Sequence, residues 1–198
     1  NYFSMQLVRG ESLAGLLSRE GALAPRRAAG LLRTVAEAVD YAHRLGVLHL
    51  DLKPGNVLID ERGVPLVADF GLARRIDEAL ATDNDEVSGT PSYMAPEQAQ
   101  IKSHKLSPAT DIYGIGAILY ELLTGRPPFL AATPQETLKR VVTQEPARPR
   151  SLRRQVSQDL EAVALKCLAK DPKQRYTSAR ALADDLGRYL DGRAVSVR

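Results

Sequence analysis

Cysteine is nearly missing from the 198 residues: Cys167 stands alone, so no internal disulfide can form and no thiolate zinc cluster can be assembled. That usage fits a reducing, cytoplasmic setting. Long apolar runs are missing as well. The most apolar stretch, residues 112–123, carries Gly114, Gly116 and Glu121 and falls short of the ~18–20 apolar residues a membrane span requires, so no membrane contact is expected within this segment. Residues 1–5 have neither a basic start nor an apolar core and do not read as a secretion signal; they begin mid-pattern, as a piece of a longer chain would. Charge of one sign is scarce too. With 27 Lys+Arg against 24 Asp+Glu the net charge is +3, too little for the concentrated basic face that a phosphate backbone demands, which argues against nucleic acid as a partner.

The remainder is ordinary soluble composition, 44% apolar and 26% charged, which rules out disorder, collagen and coiled coil. About 200 residues bury a sizeable core without a metal or disulfide staple. Two local asymmetries stand out: Asp77, Glu78, Asp83, Asp85 and Glu86 without an intervening base, and Arg148, Arg150, Arg153 and Arg154 close together. Both read as solvated loops, the second as an exposed connector.

Residues 2–8 are β-prone enough for one strand, which Arg9 and Gly10 should end. Helical spacing follows, first at Leu13, Leu16 and Leu17, then after Pro25 at Ala28, Leu31, Leu32, Val35, Val39 and Ala42 as far as Gly46. The period then changes. Short apolar runs at 47–48, 57–59 and 64–68, the last two separated by Asp60, Glu61, Arg62 and Gly63, predict a small hairpin after a loop. Residues 69–108 hold no sustained period, and a long irregular segment of this kind inside a compact domain is usually functional. Helical reading resumes at Asp111 and stops at Gly125. Further helices open at Thr133, with Pro134 and Glu136 completing a capping box, at Ser157, and at Ser178; Pro172 should end the second of these. The fold class is therefore α+β, mostly helical with one small β patch.

The chemistry sits in His49-Leu50-Asp51-Leu52-Lys53-Pro54-Gly55-Asn56 and, beyond the hairpin, in Asp69-Phe70-Gly71. Two acids, an amide and a lysine on loops flanking a rigid hairpin suit a divalent metal and a phosphate held near a hydroxyl. Oxygen ligands from Asn56 and Asp69 suit Mg²⁺ (or Mn²⁺), which takes few side chains and fills its shell with phosphate. Asp51 is then left to accept a proton.

These segments, together with Ala95-Pro96-Glu97, resemble the catalytic loop, the metal-binding motif and the activation-segment end of eukaryotic-like serine/threonine protein kinases, in bacterial wording. The resemblance implies the protein-kinase fold, with residues 1–8 as the last small-lobe strand and hinge and 9–192 as the large lobe. The catalytic loop would be 49–56, the activation segment 69–97, and 193–198 the start of a connector. It further implies that Asp51 orients the substrate hydroxyl and takes its proton, Lys53 steadies the transferring phosphoryl group, and Asn56 and Asp69 hold the metal against ATP. Gln6, Val8, Ser12 and Leu58 would line the nucleotide pocket, with Met5 behind it. His49, Phe70, Thr90, Glu97, Asp111 and Arg175 would be scaffold, Glu97 pairing with Arg175, Asp111 bracing the catalytic loop and Thr90 lying beside Asp51 and Lys53. The partners would be ATP and a protein with a Ser or Thr hydroxyl.

The chain departs from the pattern in two ways. Gly-x-Gly-x-x-Gly ahead of a strand, the strand lysine and its glutamate partner do not occur in the 198 residues, so the chain reads as a large lobe that binds nucleotide poorly by itself. Leu50 stands where relatives carry the arginine that helps receive an activation-segment phosphate, which predicts activity independent of phosphorylation at Thr82 or Ser88. Two other readings compete: a pseudokinase or partner-docking scaffold, and a small-molecule phosphotransferase. The four intact polar residues argue against the first. The long segment from Asp69 to Glu97 argues against the second. Cys167 falls on an inward helical stripe, as a small buried hydrophobe, while His43 and His104 carry no motif and read as surface residues.

Overall fold

The computed structural model describes residues 8–70, 74–75, 90–100 and 106–197. Strand β1 (Gly10–Ser12) runs directly into helix α1 (Leu13–Glu20), because the Ser12 hydroxyl accepts the Gly15 N–H at 3.1 Å and caps the helix. Helix α2 (Pro25–Arg44) opens on proline, whose missing N–H costs nothing at a first helical position. Its stripe of Ala28, Leu32, Val35, Ala36 and Val39 is buried, as the spacing predicts.

Strands β3 (Val57–Asp60) and β4 (Pro65–Val67) form the expected hairpin, turned by the Asp60 carboxylate, which accepts the N–H groups of Arg62 and Val64. The sheet order is β1-β3-β4, antiparallel throughout, with Ser12 opposite Leu58 and Leu58 opposite Leu66. A second ribbon pairs β2 (Val47–Leu48) with β5 (Arg74–Arg75). The remaining described helices are α3 (Pro96–Ala99), α4 (Pro108–Thr124), α5 (Pro134–Thr143), α6 (Pro149–Leu152), α7 (Gln158–Cys167) and α8 (Ala179–Leu190). Hydroxyls of Thr133, Ser157 and Ser178 cap α5, α7 and α8 by accepting from Glu136, Leu160 and Ala181.

Helix α4 is apolar on every side and buried on every side, packed by α2, α7 and α8. Gly116 permits the closest of these approaches: a Cβ there would lie 2.3 Å from the Cβ of Cys167. Cys167 is itself fully buried, as its place on the inward stripe predicts. Among the described residues no helix is long and apolar enough to cross a membrane.

Several expectations need correction. The chain does not leave β structure at Gly10, because Gly10 starts β1 by pairing with Asp60, fifty residues away, a contact no local pattern encodes. Residues 2–7 of the expected strand lie outside the described residues. Helix α4 begins at Pro108, three residues before Asp111, and α7 ends at Cys167, well ahead of Pro172, which opens a 3₁₀ turn instead. The arginine run at 148–154 is more than an exposed connector: it contains α6, and Arg153 Nη1 donates to the carbonyls of Leu23 and Leu123 at 2.6 and 3.2 Å. The acids at 77–86 lie outside the described residues, with Thr82, Ser88 and His104.

Candidate active site

The loop from His49 to Asn56 leaves β2 and enters β3 through a 3₁₀ turn at Pro54–Asn56. Its start is held by Asp111, buried in the first turn of α4. Asp111 Oδ2 accepts the His49 N–H at 2.9 Å, and Oδ1 accepts the Leu50 N–H at 2.8 Å. Asp111 thus ties the start of the loop to α4. His43 joins it, with Nε2 2.7 Å from Asp111 Oδ2 and only 7% of its side chain exposed, so the surface placement expected for His43 is wrong. The pairing spans 68 residues and leaves no local trace.

Leu50 has φ of +65°, a left-handed backbone that costs a non-glycine residue free energy and persists only where its surroundings hold it. Asp111 grips its N–H, and Gln98 Nε2 donates to its carbonyl at 2.8 Å. Gln98 Oε1 in turn accepts the Ala95 N–H at 3.0 Å, three residues back, a spacing from which the role of Gln98 was legible. The Leu50 side chain packs with Leu48 and Leu106.

His49 is buried, and its ring is fixed at both nitrogens. Nδ1 accepts the Asp51 N–H at 3.2 Å, so the proton sits on Nε2, which donates to the Ala68 carbonyl at 3.1 Å. Phe70 packs against it at 4.6 Å between ring centroids.

Asp51, Lys53 and Asn56 converge. Asp51 Oδ2 accepts Lys53 Nζ at 2.6 Å and Asn56 Nδ2 at 3.0 Å, and Asn56 Nδ2 also donates to the Asp51 carbonyl at 2.8 Å. Both amide hydrogens of Asn56 are therefore spent on Asp51, leaving its Oδ1 as the acceptor. Asp51 Oδ1 has no partner among the described residues. The third carboxamide or carboxylate, Asp69, follows Ala68, whose N–H donates to the Asn56 carbonyl at 2.9 Å and whose carbonyl receives His49. Asp69 is exposed and left-handed, φ +60°, a conformation Asp tolerates better than most residues. Hard amide and carboxylate oxygens on two tethered loops fit an Mg²⁺ ion that completes its shell with phosphate and water. Among the described residues no three His, Cys, Asp or Glu side chains cluster to hold a metal by themselves.

The scaffold pair is stronger than its sequence suggests. Arg175 and Glu97 meet in two parallel bonds of 2.8 and 2.9 Å, with Arg175 fully buried. The remaining guanidinium donors reach the carbonyls of Ala109, Ala169 and Lys170, and Thr110 Oγ1 donates to Glu97. Thr90 is exposed and lines a small cleft with Asp51, Tyr93 and Gln98. Its hydroxyl is not among the partners of Asp51 or Lys53 in the described residues. Ser12 uses its hydroxyl as a helix cap and shares a row with Leu58 and Leu66 on the more open sheet face. Val8 is half-buried at the entry to β1, while Met5 and Gln6 lie outside the described residues.

Residues 1–186 match the family model described as protein kinase domain. The serine/threonine-protein kinase PknB of Mycolicibacterium smegmatis is 35% identical over 195 residues, 98% of this chain and 31% of that protein. PknB of Mycobacterium tuberculosis is 36% identical over 193 residues, 96% of this chain and 30% of that protein. A probable serine/threonine-protein kinase of Streptomyces coelicolor is 37% identical over 196 residues, 98% of this chain and 29% of that protein. The chain thus spans about three-tenths of the length of the curated relatives it matches. With that coverage the loop of Asp51, Lys53 and Asn56 stands in a known setting: the chain belongs to the protein kinase domain family.

Proposed function

We propose that this chain supplies the large-lobe half of a site that transfers the γ-phosphoryl group of MgATP to a Ser or Thr hydroxyl of a protein. The observation that carries the reading is the Asp51–Lys53–Asn56 triangle on a loop pinned by Asp111. Asp51 keeps Oδ2 engaged by Lys53 and Asn56, so Oδ1 receives the hydroxyl proton while the carboxylate stays fixed in orientation. Lys53, held at 2.6 Å from Asp51, places a positive charge beside the oxygen being transferred to. Asn56 Oδ1 and Asp69 would hold the magnesium (or manganese) ion. That ion, when bound, draws charge from the phosphate oxygens. Leu58, with Leu66 beside it across the sheet, offers an apolar seat for the base of the nucleotide.

The test is phosphoryl transfer by the full-length protein, using labelled ATP with a generic basic protein and, separately, a panel of hydroxylated small molecules. Label is expected on protein Ser and Thr. Asp51→Asn should lower kcat by roughly 10²–10⁴ while leaving nucleotide affinity within a few-fold. Transfer to small molecules alone, or an Asp51→Asn protein with unchanged turnover, would overturn the proposal, the second outcome favouring a docking scaffold.

A further inference from the structure

Past α8 the chain does not stream away from the body. Arg193 N–H donates to the Arg188 carbonyl at 2.8 Å, Val195 returns to the core with 4% exposure, and Ser196 meets a buried acid. That acid is Asp185, fully buried on α8. It accepts the Ser196 N–H at 2.8 Å, the Ser196 hydroxyl at 2.7 Å, the Tyr176 hydroxyl at 2.9 Å and Arg188 Nη1 at 3.0 Å. Burial pushes the Asp185 carboxyl up, but the hydrogen bonds, those of Ser196 foremost, hold it below the ordinary value. Ser196 itself is exposed. One reachable hydroxyl therefore fastens residues 193–197 to the lobe through a charge of the sign a phosphate would carry.

We propose that Ser196 is a phosphorylation site, modified by a second copy of this kinase, and that the phosphate releases residues 193–197 from α8. The donor half of this inference rests on the proposed function. In the step, the Ser196 oxygen forms a bond to the γ-phosphorus of ATP, the bond from that phosphorus to the β-phosphate oxygen breaks, and ADP departs. The serine proton passes to Asp51 of the acting copy and then to water.

The placement of the segment favours transfer between copies over transfer within one. Helices α2 and α8 run antiparallel, since Arg180 N–H donates to Asp40 near the end of α2 and Arg26 donates to Leu190 near its start. The catalytic loop is tied through Asp111 to His43, at the far end of α2 from Arg26. From residue 26 to residue 43 is about 25 Å at 1.5 Å per residue. The six residues from Leu190 to Ser196, fully extended, span at most about 22 Å.

Once modified, Ser196 has no hydroxyl proton to donate and carries a charge of about −1.5 to −2. While its N–H stays on Asp185, that charge is held beside a buried carboxylate that has lost a hydrogen bond. Undocking relieves both penalties, exposing Val195 and returning Asp185 to water. Docking leaves the serine exposed but holds its backbone on α8, so residues 193–197 must loosen before they can enter another copy's site as an extended strand. Phosphorylation therefore traps the loosened form.

The full-length protein is incubated with MgATP at several concentrations, and phosphate on Ser196 is mapped by mass spectrometry. The expected result is label on Ser196 that disappears in Asp51→Asn, returns on a mass-tagged Asp51→Asn protein when untagged wild type is added, and forms at a rate rising with the square of protein concentration. Hydrogen exchange at the Ser196 amide should quicken at least tenfold on modification. Label on a generic protein substrate but none on Ser196 overturns this proposal and spares the kinase reading. No label on any substrate overturns that reading instead, and with it the donor half. Phosphoserine installed at 196 by semisynthesis tests release separately: exchange unchanged from the unmodified protein would overturn it.

Discussion

Leu50 and Asp69 carry left-handed backbone at the two ends of the site, where each strained position costs on the order of 1–3 kcal/mol. What holds Leu50 is polar contact to its main chain: Asp111 at the N–H and Gln98 at the carbonyl. Replacing Gln98 by Ala removes one of these and orphans the Ala95 N–H, so a loss of about 1–3 kcal/mol in urea unfolding is expected, with turnover falling in parallel. The Leu50 side chain lies among Leu48 and Leu106, so position 50 itself supplies no guanidinium to receive a phosphate. Accordingly, on the proposed function, the pair Thr82→Ala and Ser88→Ala should leave turnover of the full-length protein within about threefold of wild type, and an inactive pair with intact fold and nucleotide affinity would refute this dependence on residue 50.

Among the elements, α4 is the axle on which the site and the scaffold both turn, and its fit is set by close approach. Gly116→Ala gains about 1 kcal/mol of helix propensity but drives a methyl group into Cys167, so a net loss of roughly 1–3 kcal/mol is expected, partly recovered by adding Cys167→Gly. Arg175→Met leaves Glu97 buried and unpaired, which should cost about 3–5 kcal/mol, read as a lower denaturation midpoint. Elements with a local signal were legible in the sequence. Hydroxyls at 133, 157 and 178 cap the helices they announce, and Asp60 to Gly63 turns the hairpin. The convergence of Asp51, Lys53 and Asn56 was legible because their spacing is a motif. Elements made by distant partners were not: β1 exists through Asp60, His43 is buried by Asp111, and Arg153 is engaged by carbonyls at Leu23 and Leu123. Tertiary pairing overrides what a window of neighbours can say.

At the scale of the whole molecule, the pH dependence of stability reports on buried cations and acids. Burial pulls Lys170 down to about 8, Glu145 opposing and Arg175 assisting, while its Nζ donates to the Val141 carbonyl at 2.6 Å above the Phe129 ring. A lysine with a depressed folded value binds fewer protons folded than unfolded between about 8 and the ordinary lysine value near 10.4. Its contribution to stability therefore rises with pH across that window. Cys167, pushed up by burial, works the other way at the alkaline end, so the quantity to measure is the difference between wild type and Lys170→Met. That difference should shift in favour of wild type from pH 7.5 to 10, and a flat difference would contradict the assignment. The grip of Asp111 has a broader outcome. It takes hold of amide hydrogens, which every residue but proline supplies, and asks nothing of the side chain at position 50. The contact that shapes the loop would therefore outlast a change of side chain at position 50, whereas the apolar packing of that side chain on Leu48 and Leu106 would not.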